Sequence, residues 1–354
     1  MTEKRKRNRF RILAVLLILL LLTGCAKAPD SGAQPEIVPT ASAAERPDPS
    51  KKTTGIGFYF DTVVSLTLWG APETLMNEVW EVCARYEQLL SKTIATSDVS
   101  RINAAQGKTV TVDPETWVIL QRAKEISAQT GGAFSVTIAP VSALWTFTGM
   151  ETNSVPTDEM RLATLPLVDD QKIVLGDNNT VTIPAGMQID LGGIAKGYIA
   201  DKVAQLLREK AYAGIVSLGG NVYTVGTKPD GSKFSVGIKD PEATHLSKAI
   251  IYTGNCTVVT SGTYERGFSF GGVRYHHILD PKTGWPAQSD LVSATFVTDS
   301  SMTADALATA CIVMGSEKSL ELAAAQGLDA IFIKKDGTVL FTEGFEEKYH
   351  YQAQ

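Results

Sequence analysis

Apolar residues are distributed along this chain in three distinct regimes. The first is one unbroken run, "ILAVLLILLLLTGC" from Ile12 to Cys25, preceded by the basic stretch "KRKRNRFR". A basic region, a short apolar core and a small-residue exit form the pattern of an export signal rather than a permanent span, with an uncleaved signal anchor as the alternative. The second regime, residues 26–54, holds five prolines among small and polar residues, with too few large apolar side chains to build a core. It predicts a flexible tether. The third begins near Ile56 and carries the periodicities of a folded body, so three segments are expected: 1–24 signal, 25–54 tether and 55–354 domain.

Within the body, "IGFYFDTVVSLTLWG" is rich in β-branched and aromatic residues and predicts a strand pair or one long strand. Next, "PETLMNEVWEVCARYEQLLS" aligns Leu75, Val79, Val82, Tyr86 and Leu89 on one helical stripe, with Pro72 at its start. In "DPETWVILQRAKEISAQTGG", Asp113 is placed as N-cap, Pro114 in the first turn and Gly131–Gly132 as the stop. The intervening "TSDVSRIN" is expected to be a polar loop. Beyond residue 165 short strands dominate, with helices expected near 194–211, 301–314 and 317–326. "AIFIKKDGTVLFT" predicts a hairpin turning at Asp336–Gly337. Strands and helices do not alternate regularly, so the expected class is α+β, with antiparallel sheets and packed helices. The closing "EEKYHYQAQ" is expected to be an exposed tail.

Charge narrows the partners. Removing residues 1–24 leaves 27 basic against 37 acidic side chains, which argues against nucleic acid as a ligand. The cysteines form no disulfide framework or zinc pattern, and Cys83 and Cys311 lie on apolar helical stripes as expected of packing residues.

Three stretches carry candidate chemistry. In "MQIDLGGIAKGYIADKVAQLL" a short apolar strand ending in Asp190 runs into a helix through Gly192 and Gly193, with Lys196 in the first turn. Free N–H groups and the helix dipole favour an anion there, and lysine offers a point charge to phosphate, although a glycine-rich turn also serves plain packing. In "DSSMTADALATACIVMG" Asp305 and Thr309 lie four residues apart on an otherwise apolar helix. Their hard oxygens suit Mg²⁺, which completes its shell with waters and phosphates, while a solvated polar pair is the plainer alternative. In "GVRYHHILDPKTGWP" two histidines close a strand before a turn for which Asp280 is a cap, and one could accept a proton from a hydroxyl, while a loop histidine bonded to backbone is the plainer alternative. "VSLGGNVYTVG" adds Asn221, able to bond a base or sugar, and "GGAFSVTIAPVSALW" adds apolar walls from Phe134 and Trp145.

In this order "SRIN", "GGAF", "DLGGIAKGYIAD", "SLGGN", "VGIKDP", "TSGTYER", "HHILDPKTG" and "TADALATA" resemble the FAD:protein FMN transferases, the ApbE-like flavin transferases. The resemblance runs from about Gly57 to Gly315. It implies a single catalytic domain of ApbE-like or T-fold-like architecture that takes FAD with Mg²⁺ and moves FMN onto a threonine or serine hydroxyl of a partner flavoprotein, releasing AMP. By the same resemblance Phe60, Thr93, Ala133, Phe134, Ser135, Asp190, Lys196 and His277 contact FAD. Gly193, through its carbonyl, Asp305 and Thr309 ligate the metal, and His277 is the active-site histidine. "LTGC" resembles a lipobox, implying lipidation at Cys25 and an enzyme anchored to the outer face of the cell membrane beside an exported acceptor. The family usually reads Met-Gly-Thr where this chain has Phe60-Asp61-Thr62, Asp where it has Ser135, and in some members an aromatic residue where it has Thr93. Two other activities fit the same residues: hydrolysis of FAD to FMN and AMP, or flavin storage by a lipid-anchored binding protein.

Overall fold

The computed structural model describes residues 48–147 and 155–354. The expected export signal, Cys25 and most of the expected tether lie outside the described residues. Folded structure starts earlier than residue 55, because β1 (Lys52–Tyr59) pairs in register from Lys52↔Trp69 with β2 (Thr62–Trp69). The two-residue turn between them places Phe60 and Asp61 at φ of 55° and 54°, the left-handed turn whose twist matches an antiparallel hairpin. Aspartate tolerates that conformation better than most residues, which accommodates Asp61 at the hairpin tip.

The chain continues through α1 (Leu75–Leu90), α2 (Asp98–Ala104), β3 (Val110–Thr111) and α3 (Pro114–Gln129). It then passes α4 (Ala139–Ser142), α5 (Asp158–Thr164), β4 (Val174–Gly176), β5 (Thr180–Thr182) and α6 (Ala195–Lys210). Next come β6 (Ala213–Leu218), β7 (Asn221–Val225), β8 (Phe234–Lys239), β9 (Ser247–Thr253), β10 (Thr257–Gly262), β11 (Gly267–Phe270), β12 (Val273–His276) and β13 (Leu291–Thr298). The chain closes with α7 (Ser301–Met314), α8 (Ser316–Ala325), β14 (Asp329–Lys334), β15 (Val339–Phe341), α9 (Phe345–Lys348) and β16 (Gln352–Ala353).

One antiparallel sheet, ordered β1-β2-β6-β7-β10-β13-β14-β15, organises the domain. Strand alternation divides its two faces. Val216, Tyr223, Val259, Phe296 and Phe332 point into a core shared with α6 and α7. Val222, Val258, Val297, Ile331 and Ile333 point the other way, into a second core closed by β8, β9 and α9. The α+β expectation with antiparallel sheets therefore holds.

Four local expectations change. "SDVSRIN" is the helix α2, because the Ser97 hydroxyl accepts the Ser100 N–H and Val99 and Ile102 are buried beneath it. Helix α1 starts at Leu75, since Pro72 uses its carbonyl in a turn with the Leu75 N–H. Residues 187–190 join no sheet: the Asn103 side-chain amide takes both the N–H and the C=O of Ile189, at 2.7 and 2.9 Å, in place of a neighbouring strand. The C-terminus is docked, with Phe345 fully buried, the Tyr349 hydroxyl on Asp329 at 2.7 Å and β16 paired to β9.

Candidate active site

The helix α6 begins immediately after the Asp190–Gly193 turn, and α7 crosses it. At the crossing Gly197 lies against the Ser301 carbonyl so closely that a Cβ there would overlap it. Backbone contact of this kind is what glycine permits and every other residue forbids. It brings the first turn of α6 alongside the stretch of α7 that carries Asp305 and Thr309.

Asp305 is 3% exposed. Its Oδ2 accepts the Gly197 N–H at 3.0 Å and meets the Lys196 ammonium at 3.5 Å. Among the described residues no hydrogen bond reaches Oδ1, so one carboxylate oxygen is left for a further partner. Lys196 also donates to the Gly192 carbonyl at 2.6 Å, which holds the ammonium over the glycine turn. One helical turn along from Asp305, the Thr309 hydroxyl bonds the Asp305 carbonyl at 3.1 Å and shares a hydrogen with Ser261 on β10 at 3.2 Å. Gly193 completes the group: a Cβ built on it would stand 3.9 Å from Thr309 Oγ1 and 3.2 Å from the Phe134 ring.

No group of three or more histidine, cysteine, aspartate or glutamate side chains capable of holding a metal occurs among the described residues. A cation at this place would rest on one carboxylate with a free oxygen, one hydroxyl and main-chain carbonyls. That set is hard and sparse, which suits Mg²⁺ whose remaining ligands are phosphates and water and does not suit zinc.

The remaining flavin-contact candidates fall in four places. Phe134 is buried against Gly193, with Ala133 buried beside it. The Ser135 hydroxyl is engaged by Asp170 at 2.6 Å. Asp190 accepts the Gly192 N–H at 2.8 Å and the Lys92 ammonium at 2.6 Å, so Lys92 is a cation on this rim that sequence reading missed. Phe60 and Thr93 both lie at the C-terminal end of α1: the Phe60 N–H donates to Glu87 at 2.7 Å, and the exposed Thr93 bonds Ser91 at 2.9 Å. Thr62, at the same hairpin tip, packs on Gly219 of the "SLGGN" turn.

His277 follows β12 and is half-buried. Burial and the nearby charges of Arg266 and Lys196 push its pKa down to about 3, against the pull of its bond to the Arg266 carbonyl. Nδ1 lies 3.2 Å from that carbonyl, which can only accept, so Nδ1 carries the hydrogen and Nε2 presents a lone pair. The ring is thus neutral, with the Nε2 lone pair unprotonated. His276 is buried, bonds the Ala287 carbonyl at 3.1 Å through Nε2 and serves the turn instead.

Residues 60–332 match the ApbE family. This chain belongs to it. The FAD:protein FMN transferase of Treponema pallidum is 37% identical over 292 residues, covering 77% of this chain and 80% of its own. That of Vibrio cholerae is 30% identical over 340 residues, 95% of each chain. Among solved structures, the ApbE protein of Thermotoga maritima superposes with a TM-score of 0.78 at 33% identity, covering 84% of this chain and 99% of that one. The flavin transferase ApbE from Vibrio cholerae gives 0.77 at 28% identity over 84% and 99%. In this ApbE-family chain Lys196, Asp305, Thr309, Gly193 and Phe134 meet around one crossing of two helices, whereas Phe60 and Thr93 stand at the end of α1. Asn103, Asp201 and Ser261 were overlooked as individuals although each stands inside one of the quoted motifs. Lys92 and Asp170 stand outside them all, and no local signal marks them.

Proposed function

We propose that this protein is an FAD:protein FMN transferase. It binds FAD with the diphosphate at the first turn of α6, and an acceptor hydroxyl attacks the phosphorus on the FMN side. The new ester oxygen–phosphorus bond forms as the diphosphate bridge breaks, and AMP leaves with the bridging oxygen. The hydroxyl proton passes to Nε2 of His277, whose lone pair the Nδ1–H bond to the Arg266 carbonyl leaves open, and the bound diphosphate's negative charge would raise the ring's basicity above that of the empty site. The observation that carries this reading is the meeting of Lys196, Asp305, Thr309 and Gly193 at one helix crossing, with Phe134 walling one side.

Asp305, Thr309 and the Gly193 carbonyl would hold Mg²⁺, which when bound supplies positive charge to the diphosphate and to departing AMP. Lys196 holds the same anion from the helix side, and the α6 N-terminus adds its dipole. Phe134 covers one side of Gly193 and would narrow the approach of water from that side.

The acceptor is an exported flavoprotein bearing a threonine or serine at its attachment site, and the enzyme reaches it from the outer face of the membrane through lipid on Cys25. The basic, apolar and Leu-Thr-Gly-Cys sequence of residues 4–25 supports that address. Incubating the protein with FAD, Mg²⁺ and an acceptor domain and then weighing the acceptor tests the activity. A gain of one FMN phosphoester is expected, whereas FMN and AMP released with an unchanged acceptor mass would make the protein a hydrolase. Replacing Cys25 by serine should move it from the membrane to the soluble fraction.

A further inference from the structure

Asp170 lies in a short turn outside every motif of the site, yet it is 3% exposed and all four hydrogen bonds to its carboxylate come from one segment. Its Oδ1 accepts the Ser135 hydroxyl at 2.6 Å, the Thr137 hydroxyl at 2.6 Å and the Thr137 N–H at 3.0 Å. Its Oδ2 accepts the Val136 N–H at 3.0 Å. Among the described residues no lysine, arginine or histidine pairs with it. A carboxylate buried among neutral donors alone is costly, so it persists where it fixes something that the chain would not otherwise hold.

What it fixes is the strip from Ala133 to Thr137, and that strip leads directly to the site. The Val136 carbonyl accepts the Asp190 N–H at 2.8 Å, setting the start of the glycine turn. Phe134 lies against Gly193. Ser135 itself accepts the Thr137 N–H at 3.2 Å as the cap of the turn that follows. An aspartate at 135 would accept that N–H without help from another turn. We infer that Asp170 supplies from a separate turn the carboxylate that orders residues 133–137, and is a positioning residue through which this strip holds FAD.

The inference rests on the transferase reading for its substrate, but it is read by FAD binding alone. Two carboxylates at this spacing would repel, so Ser135→Asp placed beside Asp170 should damage the strip. Asp170→Asn, which turns an acceptor into a donor facing N–H groups, should damage it from the other side. The pair Ser135→Asp/Asp170→Asn restores one carboxylate and should recover. FAD is titrated into each of the four proteins by flavin fluorescence without any acceptor, and thermal unfolding is measured in parallel. Each single variant is expected to bind FAD on the order of tenfold more weakly, with the double returning to within about threefold of the parent, a coupling outside simple additivity. A double variant no better than the weaker single overturns the exchange. Recovery of thermal stability without recovery of FAD affinity overturns the positioning role and leaves Asp170 a fold residue only. Absence of transfer by the parent chain, with the fourfold FAD pattern intact, would sink the transferase and leave this inference standing.

Discussion

The carboxylate of Asp201, on α6, accepts the N–H of Ser301 at 2.7 Å, and its other oxygen takes the Met302 N–H at 3.0 Å. A side chain on one helix thus caps the start of the other. With the Gly197–Ser301 contact a single turn earlier, it fixes the register of α6 against α7, and hence of Lys196 against Asp305.

That cap titrates. Burial raises the Asp201 pKa to about 6, with the two backbone donors and Arg208 pulling the other way. A carboxyl whose folded pKa exceeds its unfolded value near 3.8 contributes stability that is complete below that value and is lost as pH rises through 6. Asp201→Asn does not titrate. The stability of the parent relative to this variant should therefore fall by on the order of 2 kcal/mol between pH 4 and pH 7. Urea unfolding of both proteins across that range reads it, and a difference independent of pH refutes it.

Gly197→Ala tests the crossing itself. The added methyl meets the Ser301 carbonyl and the Met302 backbone, neither of which can turn aside as a side chain tip would. The helices must separate, at a cost of about 1–3 kcal/mol or more. A lower melting temperature together with weaker metal-dependent transfer is expected. A variant that melts and turns over like the parent would show that the helices do not meet as closely as described.

The legible parts of this molecule were those whose signal is local. The α7 pair Asp305 and Thr309 lies at helical spacing, the hairpin around Asp336–Gly337 carries its turn residues, and the α3 caps sit where Asp113 and the two glycines put them. Failures came where tertiary contacts took over. Ile189 looks like a strand because it is apolar and extended, yet a side-chain amide from α2 satisfies its backbone. The final residues look polar, yet Phe345 and Tyr349 close the second core. Lys92 and Asp170 reach the site across long stretches of chain, and neither spacing nor composition announces a contact of that range.

Asp305→Ala should lower transfer by on the order of a hundredfold or more at saturating FAD, the scale of a lost electrostatic partner at a reacting phosphate. Removing the carboxylate also strips Lys196 and the Gly197 N–H of their shared acceptor. Asp305→Asn separates the two effects, because its amide oxygen can still accept the Gly197 N–H. The loss should persist in Asp305→Asn while its melting temperature stays closer to the parent's. Mg²⁺ titration of the residual rate checks the assignment, and an unchanged Mg²⁺ requirement would remove Asp305 from the metal shell.

His277 gives the last prediction. Its ring is neutral across the physiological range because burial and two cations depress its pKa to about 3. A group whose charged form is disfavoured in the fold costs stability only as pH falls below its unfolded value near 6.5 and is silent above it. The free enzyme should therefore show no histidine inflection in kcat/KM for FAD between pH 5 and pH 8. His277→Asn keeps a hydrogen-bonding side chain but removes the basic nitrogen, and should reduce kcat by about 10²–10³-fold with a smaller change in FAD affinity. An inflection near pH 6.5 that disappears in the variant would show that the diphosphate-free site is open to water. A variant with full kcat would give the acceptor's proton to another group.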